Sequence, residues 1–564
     1  MPYRAPVTDF RFIFENVSDF AAVQATDRFA DASPDMIEAI LEGAGRIAED
    51  VLDPLRRVGD MQGARLENGV VRTPDGFKQA FAQLAEGGWI ALSAGQEHGG
   101  MGLPISITTA FNEMAAATAM SLGLCPLLTQ GQVEALEHHA SDEIKQMYLP
   151  RLISGEWTGT MNLTEPQAGS DVGALTTKAA PNGDGTYAIT GQKIYITYGD
   201  HDMAENVCHL VLARLPDAPG GTKGISLFLV PKLIPDDQGR PGVANALKVV
   251  SLEHKMGIHG SPTAVMQYDG AVGWLIGEQN KGMAAMFTMM NNARLAVGAQ
   301  GVGCAEGAYQ HALAYAQDRS QMGRIIDHAD VRRMLLTMKA DTFAARAIAV
   351  NCAVAIDMET ATHHESWRTR AALLTPIAKA FGTDVGCDVA SIGIQIHGGM
   401  GFIEETGAAQ FLRDARITPI YEGTNGIQAM DLVGRKMMDG GEAAFRLLDE
   451  IEADAERARA DLPDLAEPVW QATESLREAV EWLVAQSDMR TRFAGSVPFL
   501  RAFARVLGGY YHMRAAMAEK GQGPRTKLAR FYVARLLPEH AGLLTHAMAG
   551  AEDLYALSVD ELAA

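Results

Sequence analysis

The chain has 564 residues, 48 basic and 69 acidic, for a formal charge of −21. That balance excludes whole-surface attraction to nucleic acid or anionic membrane as its task. With 47% hydrophobic and 21% charged residues, it has the composition of an ordinary globular protein, long enough for three or four domains.

The opening MPYRAPVTDFRFIFENV carries Asp9 and Glu15 and no apolar core of signal length. No uninterrupted apolar run approaches about 20 residues, so a cytoplasmic protein without a membrane span is expected. Pro34 to Val58 then places Met36, Ile37, Ile40, Leu41, Ile47 and Val51 at helical spacing, and Gly76 to Glu86 does the same. After the glycine-rich break from His98 to Leu103, helical patterns resume through Leu122 and Leu149, giving a helical domain over 1–156. From Trp157 to Tyr268, short strand-like runs alternate with turns such as Asn182-Gly183-Asp184-Gly185 and Pro219-Gly220-Gly221. This texture predicts a small antiparallel β domain over 157–275. Long Ala-, Leu- and Met-rich helical patterns at 281–317, 330–358 and 368–396 predict a bundle over 276–438. Met438-Asp439-Gly440-Gly441 reads as a hinge, followed by a further helical module over 439–564. The expected class is α+β, mostly α.

Five scattered cysteines form no C-x-x-C pair, so neither a zinc site nor a disulfide framework is expected, and no metal is assigned. There is no Rossmann G-x-G-x-x-G between strand and helix and no Walker loop; Gly298, Gly301 and Gly303 lie inside a helical pattern, where small residues permit close packing. Three stretches carry more chemistry. In Met161-Asn162-Leu163-Thr164-Glu165-Pro166-Gln167-Ala168-Gly169-Ser170-Asp171, a strand end meets a turn whose amides and hydroxyls suit a polar ligand, or simply a polar surface. In Gln395-Ile396-His397-Gly398-Gly399-Met400-Gly401-Phe402, a helix stops at paired glycines, which cap it and also let a ligand approach the backbone. In Pro419-Ile420-Tyr421-Glu422-Gly423-Thr424-Asn425-Gly426, Thr424 can cap a helix. Glu422 there is either an electrostatic partner of the helix start or a desolvated base.

These stretches, with Tyr195-Ile196-Thr197 and Arg319-Ser320-Gln321-Met322-Gly323 between them, follow the order of the blocks of the acyl-CoA dehydrogenase family. The chain resembles that family over roughly 35–437, and its tail resembles the C-terminally extended branch that includes 3-methylthiopropanoyl-CoA dehydrogenases. The resemblance implies an FAD-dependent enzyme with the cofactor between β domain and bundle, oxidising an acyl-CoA to the trans-2-enoyl-CoA. It further implies an electron-transfer flavoprotein as acceptor and a homodimer. Met161, Leu163 and Thr164 would contact the flavin, with Tyr195, Ile196 and Thr197 beside its ring. Ser170 would sit near the pantetheine and pyrophosphate arms. Arg319, Gln321, Gln395, Gly398 and Gly399 would hold the pyrophosphate and adenosine, partly across a subunit boundary. Thr424, Asn425 and Gly426 would close over the cofactor, Asn291 and Arg294 would meet the CoA portion, and Gly423 would admit the substrate. Glu422 matches the catalytic base. The chain departs from the family pattern at Tyr195 for a usual Trp, Tyr198 for a usual Asn, Asn291 where many members have Asp, and Gly434 in the place of an Arg that commonly lies 12 positions after the base, with Arg435 next to it.

An acyl-CoA oxidase is an alternative. So is a flavin-containing nucleic-acid-binding protein without turnover, because Arg490 to Arg535 holds ten basic residues against one acid, Glu519. The plainer expectation is that these bases pair with acidic helices such as 448–456, and no nucleic-acid partner is expected.

Overall fold

Ser33 accepts a hydrogen bond from the Met36 amide and Pro34 occupies the first turn, so a helix starts at Pro34 and runs to Arg46. The computed structural model describes residues 2–564. Before this helix lies α1 (Val7–Asn16), which buries Phe10, Ile13 and Phe14; the Pro34–Arg46 helix is α2, and it widens into a π-helical turn over Ile47–Leu52 before α3 (Leu55–Gln62). Helix α4 (Ile105–His139) is bent at Ala119, whose φ of −139° and ψ of 63° are non-helical. The bend folds the chain back, so Asn112 Nδ2 donates to Gln130 Oε1 at 3.2 Å across 18 residues. A straight helix would hold them roughly 27 Å apart.

The middle region forms a seven-stranded sheet: β1 (Trp157–Asn162), β2 (Lys178–Pro181), β3 (Tyr187–Thr197), β4 (Asn206–Arg214), β5 (Ile225–Pro231), β6 (Leu247–Leu252) and β7 (Thr263–Ile276). Pairing is antiparallel except that β1 and β2 run parallel to β4. Because β5 pairs with both β4 and β7, the path β7-β3-β2-β4-β5 returns to β7 as a small closed barrel. Strand β3 is bulged: Ala264 pairs with Ile196 and Met266 with Lys193, leaving Ile194 and Tyr195 opposite Val265 alone.

The bundle consists of α5 (Gly282–Asp318), α6 (Ala329–Thr362) and α7 (Glu365–His397). Glycines let α5 and α7 nearly touch. A Cβ at Gly298 would meet the Ala378 carbonyl oxygen at 2.7 Å, and one at Gly301 would meet that of Gly382 at 2.2 Å. Buried Arg346 of α6 donates to Glu113 of α4 at 2.8 Å and to Glu306 of α5 at 2.7 Å, joining three helices.

The last region packs α8 (Glu442–Ala458), α9 (Pro463–Ala485), α10 (Ser496–Ala518) and α11 (Pro524–Arg535) onto the bundle. Five of the ten bases in 490–535 are engaged by carboxylates. Arg505 holds Asp341 and Glu539, Arg501 reaches Asp388 and Glu539, and Arg530 meets Asp464. Arg514 pairs with Asp19 at 3.4 Å, while Arg525 pairs with Asp9 at 2.7 Å and lies 4.1 Å from the Phe12 ring centroid. The partners are therefore not the acids of 448–456. Those are taken by nearer cations: Glu450 by Arg370 and Glu452 by Arg477. Pairing of these five cations with carboxylates leaves fewer of the ten free to hold a nucleic-acid backbone.

Candidate functional site

The turn after the Ala408–Ala415 helix carries two consecutive left-handed residues, Glu422 at φ 56° and Gly423 at φ 85°. For Glu422 this conformation costs about 1–3 kcal/mol, so the surroundings must impose it. Thr424 Oγ1 accepts from the Ile427 amide at 3.2 Å and starts the Asn425–Asp431 helix. Gln428 Nε2 donates to the carbonyl oxygens of Glu422 at 3.3 Å and Gly423 at 3.4 Å. Lys379, fully buried on α7, donates to the Gly423 carbonyl and to Asn425 Oδ1, both at 2.9 Å. Asn425 Nδ2 returns bonds to Ala380 O, Thr383 Oγ1 and Asp384 Oδ1 at 3.2, 3.0 and 2.7 Å. The turn is thus stapled to α7 from both sides, and the Asn425 side chain faces the helix.

Glu422 is half-buried, and its carboxyl and amide N–H have no hydrogen-bond partner among the described residues. Burial raises the carboxyl to about 7, against the pull of Lys379 and Arg294. Burial likewise lowers the Lys379 ammonium to about 7, opposed by Glu422 and Asp384. Arg294 is buried on α5 and bonds Asp431 at 3.4 Å and Asn291 Oδ1 at 3.5 Å, so both predicted CoA-contact residues stand together, with Arg294 close enough to Glu422 to act on its charge. Tyr421, beside Glu422, donates to Gln300.

A second cluster forms where β1 ends. The Leu163 carbonyl accepts from Lys193 Nζ at 2.8 Å and that of Thr164 from the Ile194 amide at 2.9 Å, laying Met161–Thr164 alongside 193–197. Glu165 is held by Lys193 Nζ at 2.8 Å and by the amides and hydroxyls of Thr176 and Thr177. Although burial pushes that carboxyl up, the Lys193 charge and these hydrogen bonds outweigh it and bring it to about 2. Tyr195, at φ 60° in the β3 bulge, turns its ring outward at 61% exposure, while Ile196 is buried and Thr197 half-buried. Tyr198 is buried and donates to the Ser121 carbonyl at 2.7 Å, so this departure from the family pattern serves the packing against α4.

Arg319, Gln321, Gln395, Gly398 and Gly399 lie apart from both clusters on an exposed rim, with Ser170 exposed on its own turn. A stack of Tyr315 on His397, centroids 4.4 Å apart, joins the rim's two segments. A flavin dinucleotide suits these residues. The side chains of Thr164, Ser170, Thr197, Arg319, Gln321 and Gln395 are free of hydrogen bonds among the described residues. Tyr195 offers a flat aromatic face, and a Cβ built at Gly398 or Gly399 would meet nothing within 4 Å.

Sequence reasoning missed Lys379, Gln428 and Asp431, and noted Arg435 without assigning it. Lys379 carries a legible signal: the residues three and four positions away, Thr375, Pro376, Gly382 and Thr383, are uncharged, so none at ion-pairing spacing along the helix answers the ammonium. Arg435 lies in a π-helical turn over Leu432–Lys436 and bonds Asp431, four residues earlier, at 2.5 Å. Arg294 and Arg435 thus converge on Asp431, and each lies about 6 Å from the Phe287 ring.

The sequence matches four family models in succession: acyl-CoA dehydrogenase N-terminal domain over 36–156, middle domain over 160–271, C-terminal domain over 280–438, and "acetyl-CoA dehydrogenase C-terminal like" over 447–558. It is 46% identical over 555 residues to the 3-methylmercaptopropionyl-CoA dehydrogenase of Ruegeria pomeroyi, spanning 95% of this chain and 94% of that one. Identity to a butyryl-CoA dehydrogenase of Syntrophomonas wolfei is 34%, over 96% of both chains. Among solved structures, Caenorhabditis elegans ACDH-11 in complex with C11-CoA superposes with TM-score 0.80 at 21% identity, covering 94% of this chain and 91% of its own. An acyl-CoA dehydrogenase from Bacillus anthracis complexed with FAD gives 0.74 at 20% identity, covering 95% and 91%. These two likenesses concern the fold alone.

Proposed function

This chain belongs to the acyl-CoA dehydrogenase family, and we propose that it oxidises a short acyl-CoA thioester, 3-methylthiopropanoyl-CoA foremost, to the trans-2-enoyl-CoA. The observation that carries this reading is the unbonded, half-buried Glu422 carboxyl raised to about 7 beside two cations. A thioester α-proton is weakly acidic, and a carboxylate of higher pKa is the better matched base. Glu422 takes that proton, and its own free amide N–H, fixed by the left-handed turn, is placed to donate to the carbonyl oxygen where charge develops. Bound FAD would supply the two-electron acceptor: the β C–H pair would leave as hydride, while the α C–H pair, left behind by the proton that moves to Glu422, would become the new double bond.

Tyr195 and Thr197 would flank the flavin from β3, with Met161, Leu163 and Thr164 across from them. Gly423, Thr424 and Gly426 would present backbone, and Asn425 would act by holding the turn. Asn291, Arg294 and Arg435 would meet the CoA portion, with Ser170 near its arm. The exposed rim, with Met322 at 96% and Phe402 at 88% exposure beside its cofactor residues, suits completion by a second copy, hence a homodimer. Electrons would pass to an electron-transfer flavoprotein in the cytoplasm; among the described residues no helix is long and apolar enough to cross a membrane.

The test is Glu422→Gln, which should keep yellow flavin and bind acyl-CoA yet lose flavin reduction by several orders of magnitude. Substantial residual reduction removes Glu422 from its role. A thioester panel from butyryl- to palmitoyl-CoA with 3-methylthiopropanoyl-CoA ranks the substrates. Rapid reoxidation by air with peroxide release would identify an oxidase instead.

A further inference from the structure

We propose that Lys379 is a positioning residue for the base: it pins the 422–425 turn to α7 through Gly423 and Asn425 and sets its ammonium beside the Glu422 carboxylate. The inference rests on Glu422 being the base. Lys379 is 0% exposed, and the oxygens it bonds belong to a neutral carbonyl and a neutral amide. Burying an ammonium on neutral acceptors costs several kcal/mol that an apolar side chain would avoid, so packing alone does not account for it. Its position does account for it. The two oxygens lie one and three residues beyond Glu422, so the side chain that fixes the turn also aims the carboxylate.

The charges around it come from every packed element. Glu422 and Tyr421 lie on the turn, and Asp384 lies one turn along α7, held by Asn425 and facing Arg501 of α10. Arg294 approaches from α5 and is tied to Asp431 of the 425–431 helix, which Arg435 also bonds. Arg294 is therefore neutralised by its own carboxylate, whereas Lys379 has no carboxylate within ion-pair distance among the described residues and answers to Glu422 and Asp384 at longer range. Burial lowers Lys379 to about 7 and raises Glu422 to about 7, so the two titrate in the same range and each biases the other.

Removing a cation that favours the ionised base makes that base bind its proton more tightly, so the acidic limb of the rate profile moves to higher pH. In Lys379→Met and Lys379→Gln, the limb of thioester-driven flavin reduction should move up by about one pH unit, slowing the reaction about ten-fold at pH 6. Gln keeps a donor for the Gly423 carbonyl, so its high-pH plateau should fall less than that of Met. A readout independent of turnover is the Glu422 carboxyl infrared band, identified as the band missing in Glu422→Gln; it should titrate at higher pH in both variants. An unmoved limb and an unmoved band in either folded, flavin-loaded variant overturn the proposal, while an inactive Glu422→Gln leaves the base assignment standing. A Glu422→Gln protein that still reduces its flavin overturns the base assignment, and the lysine's role with it.

Discussion

Substituting Gly301 by alanine tests whether the α5–α7 crossing sets the geometry of the reaction. The new Cβ would lie 2.2 Å from the Gly382 carbonyl oxygen and 2.6 Å from both Gly382 C and Thr383 Cα. All three are backbone atoms, so no rotamer change relieves the clash. Moving from 2.2 Å to the 3.4 Å of ordinary contact requires the helices to part by about 1.2 Å. Alanine gains about 1 kcal/mol of helix propensity over glycine, while overpacking costs about 1–3 kcal/mol, leaving a net loss of about 0–2 kcal/mol. The effect on rate should be larger. Arg294 lies one turn before Gly298 on α5, and Lys379 lies one residue before Ala380 and three before Gly382 on α7, so the crossing fixes both cations around Glu422. A displacement near 1 Å can cost about a hundred-fold in rate. Urea unfolding and single-turnover flavin reduction at saturating thioester measure the two effects. A variant with unchanged midpoint and a rate within about two-fold of the parent would show that helix spacing does not govern the site.

With its carboxyl raised well above the ordinary range, Glu422 is protonated below about pH 7, so flavin reduction should rise through that pH and level off above it; a flat profile between about pH 5 and 8 contradicts the burial argument. Lys193→Met leaves Glu165 buried without its cation and should destabilise the protein by roughly 3–5 kcal/mol in denaturant titration. Because the folded Glu165 carboxyl is depressed to about 2, its stabilisation is present above its ordinary 4.5 and disappears as pH falls from there through 2, which acid unfolding of Glu165→Gln beside the parent would show as a reduced slope in that window. Arg346→Leu strands Glu113 and Glu306 in the helix junction and should also cost roughly 3–5 kcal/mol, read as a lowered denaturation midpoint.

The helical and β textures were legible because they are periodic: apolar spacing places the α5, α6 and α7 helices within a few residues, and turn residues bracket the strands. What escaped depends on backbone register. No proline or glycine marks position 119, where α4 folds back, and no residue type marks the π turns at 47–52 and 432–436. Arg435 falls in the second of these, and counting 12 residues from Glu422 reaches Gly434 and leaves Arg435 unassigned. The parallel β1–β4 pairing is equally invisible, since alternation along a strand does not encode its neighbour's direction. At the site, motif order located Glu422 and its turn but not what holds them, because Lys379, Asp431 and Gln428 belong to other segments or read as ordinary helix residues. Backbone conformation gives a further clue: Tyr195, Met322 and Glu422 are non-glycine residues at positive φ, and each falls in a stretch already singled out.

The clasp of Asp9 by Arg525, with Asp19 held by Arg514, ties the earliest helix to one of the last. Ribosomes add about 5–20 residues per second, so the two halves of that latch are born roughly 25–100 s apart. For that interval α1 lacks its contacts with α10 and the Arg525 cover over Phe12. A gene cut short before codon 525 would make that waiting period permanent, which gives a reason for damage at the far end to surface as insolubility rather than as a quiet loss of activity.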